Sequence, residues 1–368
     1  MPAEMKIAFL TSCLEPGRDG VGDYTTLLAA ECARQGHSVC RVALNDPHVL
    51  VQRGADCLRL GAMLPWAVRV EKARAFLARF APDWVSVQFV CYGFHPRGTD
   101  ARLAARLGKI IGPTPVQIMF HELWIGAEQG ARLRERMVGA LQRRVLMQLV
   151  RTLAPRVVHT SNAVYAGLLR DRGVAASRLP LFGNVPVLSR HKHTDASGDA
   201  WTFGLFGTLH PVWPPEPLFA RLREMRKKIV IAHVGAMGSG VALWEKIARD
   251  YSGAFEFRRL GEQPPEKIAE FFAGVEFGIA TTPWELVDKS GSVAAMLEHG
   301  VPVIVNRDDV HFAGWSERGC SPLLIKMDES LSAKLAAARR RTPRSILPEV
   351  ASQFLADIGH PPANSRDE

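Results

Sequence analysis

The chain has no apolar run approaching the length of a bilayer span, so nothing in its 368 residues reads as a membrane crossing. Its first residues lack the order of a secretory leader; Met5 to Leu10 lead straight into an apolar strand. The six cysteines (13, 32, 40, 57, 91 and 320) show neither C-x-x-C spacing nor the density of a disulfide scaffold. Most lie in apolar runs, as reduced core residues of a cytoplasmic protein do. There is no Asp-x-Asp metal site, no zinc-ligand spacing, no Ser-His-Asp order and no nucleic-acid motif. These absences exclude membrane-spanning proteins, disulfide-stapled domains and zinc enzymes, and leave no nucleic-acid partner and no metal to expect.

What is present is an ordinary globular composition, 47% hydrophobic and 23% charged. Only the last few residues are biased enough to read as disordered. The length exceeds one comfortable core and suits two domains. The net charge of +9 is unevenly placed. Residues 1–190 hold 25 Lys and Arg against 14 Asp and Glu, and the remainder holds 21 against 23. The first half is therefore the one expected to face an anionic surface or ligand.

KIAFLTS (6–12) reads as a strand, followed by a Gly/Pro loop and a helix from about Tyr24 to Gln35. Further strands follow at HSVCRVAL, WVSVQFV (84–90), VQIMFHE (116–122) and RVVHTS (156–161). A polar stretch without period, 183–200, reads as a linker. A second series runs through WTFGLFGTL (201–209), KIVIAHVG (228–235), FEFRRLG (255–261), VEFGIATT (275–282) and VPVIVN (301–306). An Arg-rich helix after Lys334 and an amphipathic helix around Glu349–Ile358 close the chain. Strands separated by helix-length segments mean βαβ units. The fold class is thus α/β, with two facing doubly wound, Rossmann-like parallel sheets. The domains are expected at 1–190 and 191–345, with 346–368 as a C-terminal helix packing back on the first domain, plus a tail.

In doubly wound sheets ligands bind beyond the carboxyl ends of the strands, which makes the loops after strands the candidates. The first is Gly20-Val21-Gly22-Asp23-Tyr24, placed to bring backbone amides to an anion or a sugar. Its glycines come too late for the dinucleotide fingerprint, and Thr25 holds the third glycine's place. The second is His121-Glu122 at a strand end, able to bond sugar hydroxyls or move a proton. The third, Gly207-Thr208 with His210, and the fourth, Gly235 to Gly240, are glycine loops of the second half. The fifth is the stretch Ile279 to Val305. There Ser290 or Ser292 caps a helix that Gly300 stops, and the Lys289-Ser290-Gly291-Ser292 start is a natural anion site, with Glu285 as its acidic member. Separately, residues 131–156 carry seven arginines and the single acid Glu135. Leu133, Met137, Leu141, Val145 and Leu149 lie between them, either as a face for an anionic membrane surface or as the core side of a helix with a basic solvated face.

The layout from Lys6 to about Val305 resembles the GT-B glycosyltransferases, more particularly the large retaining family 4. The strand and glycine loop before LLAAECARQGHSV, the FHELW strand end, TSNAVYAGL, EFRRLGEQPPEKIAEFFAGVEFGIATTPWE and AAMLEHGVPVIV are similar to its segments. That family carries two glutamates eight apart before A-M-x-x-G-x-P-V; counted back from Gly300, those places hold Val287 and Ala295. Its Arg and Lys after the first strand of the second domain are also missing from FGTLHPVWPPE, with Lys289 the nearest substitute. The resemblance implies transfer of a sugar from a nucleotide sugar to an acceptor such as a polysaccharide or lipid-linked precursor, with retention and without metal or cofactor. It implies His121 near the transferred sugar, the donor diphosphate at Gly207, Thr208 and the Lys289–Ser292 helix start, the acceptor on the Gly20–Tyr24 side, and closure of the two domains over the reaction. The missing glutamates motivate a second expectation, a binding protein of this fold without turnover. Gly20-x-Gly22 motivates a third, an NAD(P)-dependent oxidoreductase.

Overall fold

The two series of strands form two α/β units in the computed structural model, which describes residues 4–187, 200–225, 227–315 and 321–360. The first unit gathers the described residues up to Pro180, Phe312–Gly314 and those from Leu347 onward; the second gathers Leu181–His311 and Trp315–Ile346. Most of the expected linker (188–199), Cys320 and the expected disordered end (361–368) lie outside the described residues. The five cysteines within them are free thiols.

The first unit is one sheet of eight strands: β1 (Lys6–Thr11), β2 (Ser38–Asp46), β3 (Val51–Arg53), β4 (Cys57–Gly61), β5 (Trp84–Phe89), β6 (Val116–Phe120), β7 (Val157–Thr160) and β8 (Ser177–Arg178). Their order is β3-β4-β2-β1-β5-β6-β7-β8, parallel throughout except for β3 against β4. Strand order reverses between β1 and β5, so the topological switch point lies there. The central strands are buried on both faces, which is why they read as continuous apolar runs. β3, β4 and β8 went unread because they are short, and β3 is exposed along its whole length. The helices of this part are α1 (Gly20–Arg34), α2 (Trp66–Phe80), α3 (Cys91–Phe94), α4 (Leu103–Ile111), α5 (Leu133–Leu153) and α6 (Ala163–Arg170).

α1 starts four residues earlier than the periodicity indicated. Asp19 is its N-cap, and its carboxylate accepts from Val21 N at 2.8 Å and Gly22 N at 3.0 Å. Gly20–Asp23 is thus helix rather than loop. Gly22 is required by packing, since a Cβ there would stand 2.6 Å from the Cys13 carbonyl oxygen.

α5 corrects the reading of its apolar face. Leu133, Met137 and Leu141 are 73%, 63% and 56% exposed, whereas Val145 and Leu149 are core. Residues four apart advance about 40° per step at 3.6 residues per turn, so a stripe from 133 to 149 winds about 160° around the helix. One end of it faces solvent and the other faces the sheet.

The second unit is a six-stranded parallel sheet: β9 (Ala200–Phe206), β10 (Lys228–Val234), β11 (Glu256–Gly261), β12 (Phe277–Ala280), β13 (Val303–Val305) and β14 (Leu324–Lys326), in the order β11-β10-β9-β12-β13-β14. Its helices are α7 (Glu216–Arg223), α8 (Val241–Asp250), α9 (Pro265–Ala273), α10 (Gly291–Glu298) and α11 (Leu331–Ala337). The order reverses between β9 and β12, which sets the switch point of this sheet at the loops after those strands. α10 ends as expected, with Gly300 at φ +70°; a Cβ on it would strike the Arg341 carbonyl.

That contact also explains why no Arg-rich helix follows Lys334. Helix α11 stops at Ala337, and the chain from Arg339 to Arg344 is irregular. The Arg340 guanidinium is drawn inward to donate to the carbonyls of Phe272 at 2.9 Å, His299 at 3.0 Å, and Val275. Three otherwise orphaned carbonyls are satisfied that way, which a solvated helix would not do. The last helix, α12 (Leu347–Gly359), belongs to the first unit. Its Phe354 is fully buried against Phe9, ring centroids 5.7 Å apart, a burial that contributes roughly 1.5–3 kcal/mol.

Candidate functional site

In the second unit the switch-point loops close on a pocket lined by Phe206–Leu209 after β9, Ala280–Thr282 after β12, and Ser290, Ser292 and Val293 at the start of α10. Gly207 has φ +73° and a Cβ on it would reach Ser292 Oγ at 3.0 Å, so the β9 turn passes directly over the α10 N-terminus. Gly235, at φ +97° after β10, lies beneath: its Cβ would stand 3.2 Å from Gly207 N. Both glycines are needed for φ and for approach.

His233, fully buried in β10, fixes the direction of this turn. Its Nε2 donates to the Gly207 carbonyl at 2.7 Å, while its Nδ1 is buried without a partner among the described residues. Burial holds the ring below its ordinary pKa, partly offset by that bond, so it is neutral with the proton on Nε2. A trans peptide points its N–H opposite its C=O. Holding the Gly207 carbonyl toward His233, which also lines the pocket, therefore turns the Thr208 N–H away from that ring. Among the described residues neither Thr208 N nor the first α10 amides, Gly291 N and Ser292 N, has a hydrogen-bond partner. Ser290 is the cap, its Oγ accepting from Val293 N at 3.3 Å. Unpaired amides and the positive end of the helix dipole converge beside Gly207, an arrangement suited to an anion.

The other expected donor-side residues are distributed around this turn. His210 is exposed at its rim, with its backbone N–H on Thr281 Oγ1 at 3.3 Å; burial of its ring, then the Arg307 charge and more weakly Lys289, hold it below its ordinary pKa. Lys289 is thus close enough to act on the same field, at the last residue of the 3-10 turn Trp284–Lys289. Glu285 is turned to His311, Nδ1 to Oε1 3.0 Å, and raises that imidazole. It does not line the pocket. Sequence reasoning passed over His233 and Arg307. The first is the polar residue next to a strand's end in KIVIAHV. The second is nearly buried after β13 and ties the loops together through Asp309 at 3.0 Å and the Thr281 carbonyl at 3.3 Å.

In the first unit, His121 follows β6 and packs edge-on against Tyr24, centroids 4.8 Å apart at 78°. Its Nε2 meets Gln88 Oε1 at 2.8 Å. Burial pushes the imidazole down to about 3, so it is neutral at physiological pH and cannot serve as a resident cation. The Glu122 charge falls on Cys91, whose thiol burial first and Glu122 next push up to about 11. The Gly20–Tyr24 segment departs from expectation. Its forward amides are occupied by Asp19, and the Asp23 carboxylate accepts from Gly17 N at 3.0 Å. An anion approaching there would displace a carboxylate, and a dinucleotide fingerprint would need those same amides. Tyr24 is buried beside His121 rather than presented on a loop.

Among the described residues no group of three or more His, Cys, Asp or Glu is placed to hold a metal ion, and no helix is long and apolar enough to cross a membrane.

No family model matches the chain, and no curated protein matches it by sequence. Solved structures do match. Anabaena HepE in complex with UDP and glucose aligns at a TM-score of 0.59 and 14% identity, over 96% of this chain and 99% of that one. The lipopolysaccharide outer core galactosyltransferase WaaB aligns at 0.51 and 13%, over 95% of each. The catalytic domain of starch synthase IV from Arabidopsis thaliana, bound to ADP and acarbose, aligns at 0.54 and 10%, over 96% of each. At these identities the fold is what is shared: two parallel-sheet α/β domains of the GT-B kind.

Proposed function

We propose that the chain is a glycosyltransferase that takes a sugar from a nucleotide-sugar donor and hands it to an acceptor such as a polysaccharide or lipid-linked precursor. The observation that carries this reading is the anion site at the β9–β12 switch point, where Thr208 N and the first amides of α10 stand unpaired around Gly207. The neighbours HepE and starch synthase IV hold UDP and ADP respectively, which supports a nucleoside diphosphate as the anion.

Transfer breaks the bond between the anomeric carbon and the diphosphate, and negative charge grows on the leaving oxygen. Fixed N–H groups, the Ser292 hydroxyl and the Lys289 charge stabilise it there, so the diphosphate departs without a metal ion. Neutral His121 offers a lone pair to a sugar hydroxyl, and Glu122 completes the strand-end pair. Transfer proceeds with retention, as in the family the sequence resembles. Leu133, Met137 and Leu141, exposed among the arginines of Arg132–Arg156, hold the first unit on an anionic membrane surface at the cytoplasmic side.

One observation favours a second reading, a nucleotide-sugar binder without turnover. The two places where the resembled family has glutamates are filled by Val287 and Ala295, both in the apolar core beneath α10. The test is release of nucleoside diphosphate from a panel of sugar nucleotides, with and without a mixed acceptor extract. Release above background supports the transferase; binding without release supports the second reading. Neither binding nor release would overturn both.

A further inference from the structure

Five hydrogen bonds run across the buried sheet of the first unit, from His121 to the surface of α12. His121 Nε2 meets Gln88 Oε1 at 2.8 Å, and Gln88 Nε2 donates to Ser86 Oγ at 2.7 Å. Ser86 Oγ donates to Gln117 Oε1 at 2.6 Å, and Gln117 Nε2 meets His159 Nδ1 at 3.1 Å. His159 Nε2 meets Asp357 Oδ2 at 2.9 Å. Ser86, Gln88, Gln117 and His159 are fully buried, while the two ends reach solvent, His121 at 8% and the Asp357 side chain at 33% exposure. Four polar side chains in the middle of β5, β6 and β7 are a costly choice for a core unless each is satisfied, and here each is.

The direction of the relay follows from its end. An ionised carboxylate only accepts, so His159 Nε2 carries a hydrogen. The Gln117 amide nitrogen, 3.1 Å from Nδ1 of the same ring, can only donate, so that Nδ1 is bare. Gln117 Oε1 in turn takes the Ser86 hydroxyl hydrogen, leaving Ser86 Oγ to accept from Gln88 Nε2. Gln88 Oε1 therefore faces His121, whose Nε2 must carry the hydrogen. The Nδ1 of His121 is left as a bare acceptor without a partner among the described residues. Without the carboxylate the four inner bonds form equally well in the opposite sense, with His121 Nε2 accepting and Nδ1 carrying the hydrogen. With it, reversal demands a second proton on His159.

We propose that Asp357 is a positioning residue for His121: through His159, Gln117, Ser86 and Gln88 it selects the Nε2–H tautomer and so presents Nδ1 as an acceptor for a substrate hydroxyl. The selection stands on geometry within the first unit alone. Its use by a sugar hydroxyl rests on the glycosyltransferase reading.

Histidine ring nitrogens labelled with 15N report the tautomer directly through two-bond correlations, and His121 and His159 are assigned by the signals lost in His121→Asn and His159→Asn. The native chain is expected to show each ring with hydrogen on Nε2 only. Asp357→Ala, at a partly exposed helix position, is expected to leave His121 as a mixture of tautomers. Ser86→Ala is expected to produce the same mixture at His121 while His159 keeps its Nε2 hydrogen, which a general loosening of the fold would not do. A doubly protonated His159 or a hydrogen on His121 Nδ1 in the native chain, or an unmixed His121 in both variants, would overturn the proposal. Where transfer is measurable, an equal mixture halves the competent population, so Asp357→Ala is expected to lower transfer about twofold with nucleoside diphosphate affinity unchanged. Unaltered transfer in a variant with mixed tautomers would overturn the substrate role. Absence of transfer in the native chain would overturn the glycosyltransferase reading and leave the tautomer result standing.

Discussion

His233→Leu separates the fold of the second unit from the direction of its β9 turn. Leucine fills a similar buried space but removes the N–H that holds the Gly207 carbonyl at 2.7 Å. This carbonyl is only partly buried, so leaving it without a donor costs at most about 1–3 kcal/mol, which urea unfolding at neutral pH would read as lost stability. The more specific effect is on binding. Once released, the 207–208 peptide rotates to find another donor, and the Thr208 N–H turns with it. Losing one aligned hydrogen bond to a charged oxygen, worth about 1.5–3 kcal/mol, weakens a nucleoside diphosphate roughly ten- to a hundredfold, measured by isothermal titration. His233→Gln, whose Nε2 can take the place of the ring Nε2, is expected to recover most of it. Affinity unchanged in His233→Leu, with the stability loss present, would refute the claim that this bond aims the turn at a ligand.

Other perturbations give independent checks. Lys289→Ala is expected to lower nucleoside diphosphate affinity while leaving the unfolding midpoint in place; equal affinity would remove the lysine from the phosphate site. Burial lowers the pKa of His121 to about 3 and that of His233 in the same direction, so the unfolded chain takes up those protons first, near its ordinary 6.5. Stability should therefore be full above about pH 6.5 and fall as pH drops from there toward 3. In His121→Gln the acid slope in urea unfolding should shrink by about 1.4 kcal/mol per pH unit, and an unchanged slope would mean that the ring protonates freely in the folded chain. Met137→Glu should reduce co-sedimentation with anionic vesicles and leave zwitterionic vesicles unaffected; no binding of the native chain to anionic vesicles would dismiss the membrane face.

Much of the architecture was legible because its signals are local. Strands buried on both faces appear as apolar runs, and Gly300 and Ser290 punctuate α10 as their chemistry requires. The pocket was legible in outline for the same reason, since Gly207, Ser290 and Ser292 follow strands or open a helix. What stayed hidden depends on contacts distant in sequence. The role of His233 exists only because Gly207 lies across from it, and Asp357 gains meaning only from a helix that packs on β1 and β7, far away along the chain. α1 was misread at its start because two glycines suggested a loop, whereas Asp19 before them was the cap. The Arg-rich segment after Lys334 misled by composition: the carbonyls that draw Arg340 inward belong to residues up to 68 positions away.

The central claim is that the start of α10 binds the diphosphate of a nucleotide sugar, and Ser292→Asp tests it most directly. An aspartate in the first turn suits the apo helix, so folding is preserved while a negative charge occupies the proposed anion position. Thermal unfolding would be followed for both chains against nucleoside diphosphates and their sugars. A ligand at about a hundred times its dissociation constant should stabilise the native chain by about 2.7 kcal/mol and leave Ser292→Asp where it was. Equal stabilisation of both chains would contradict the account.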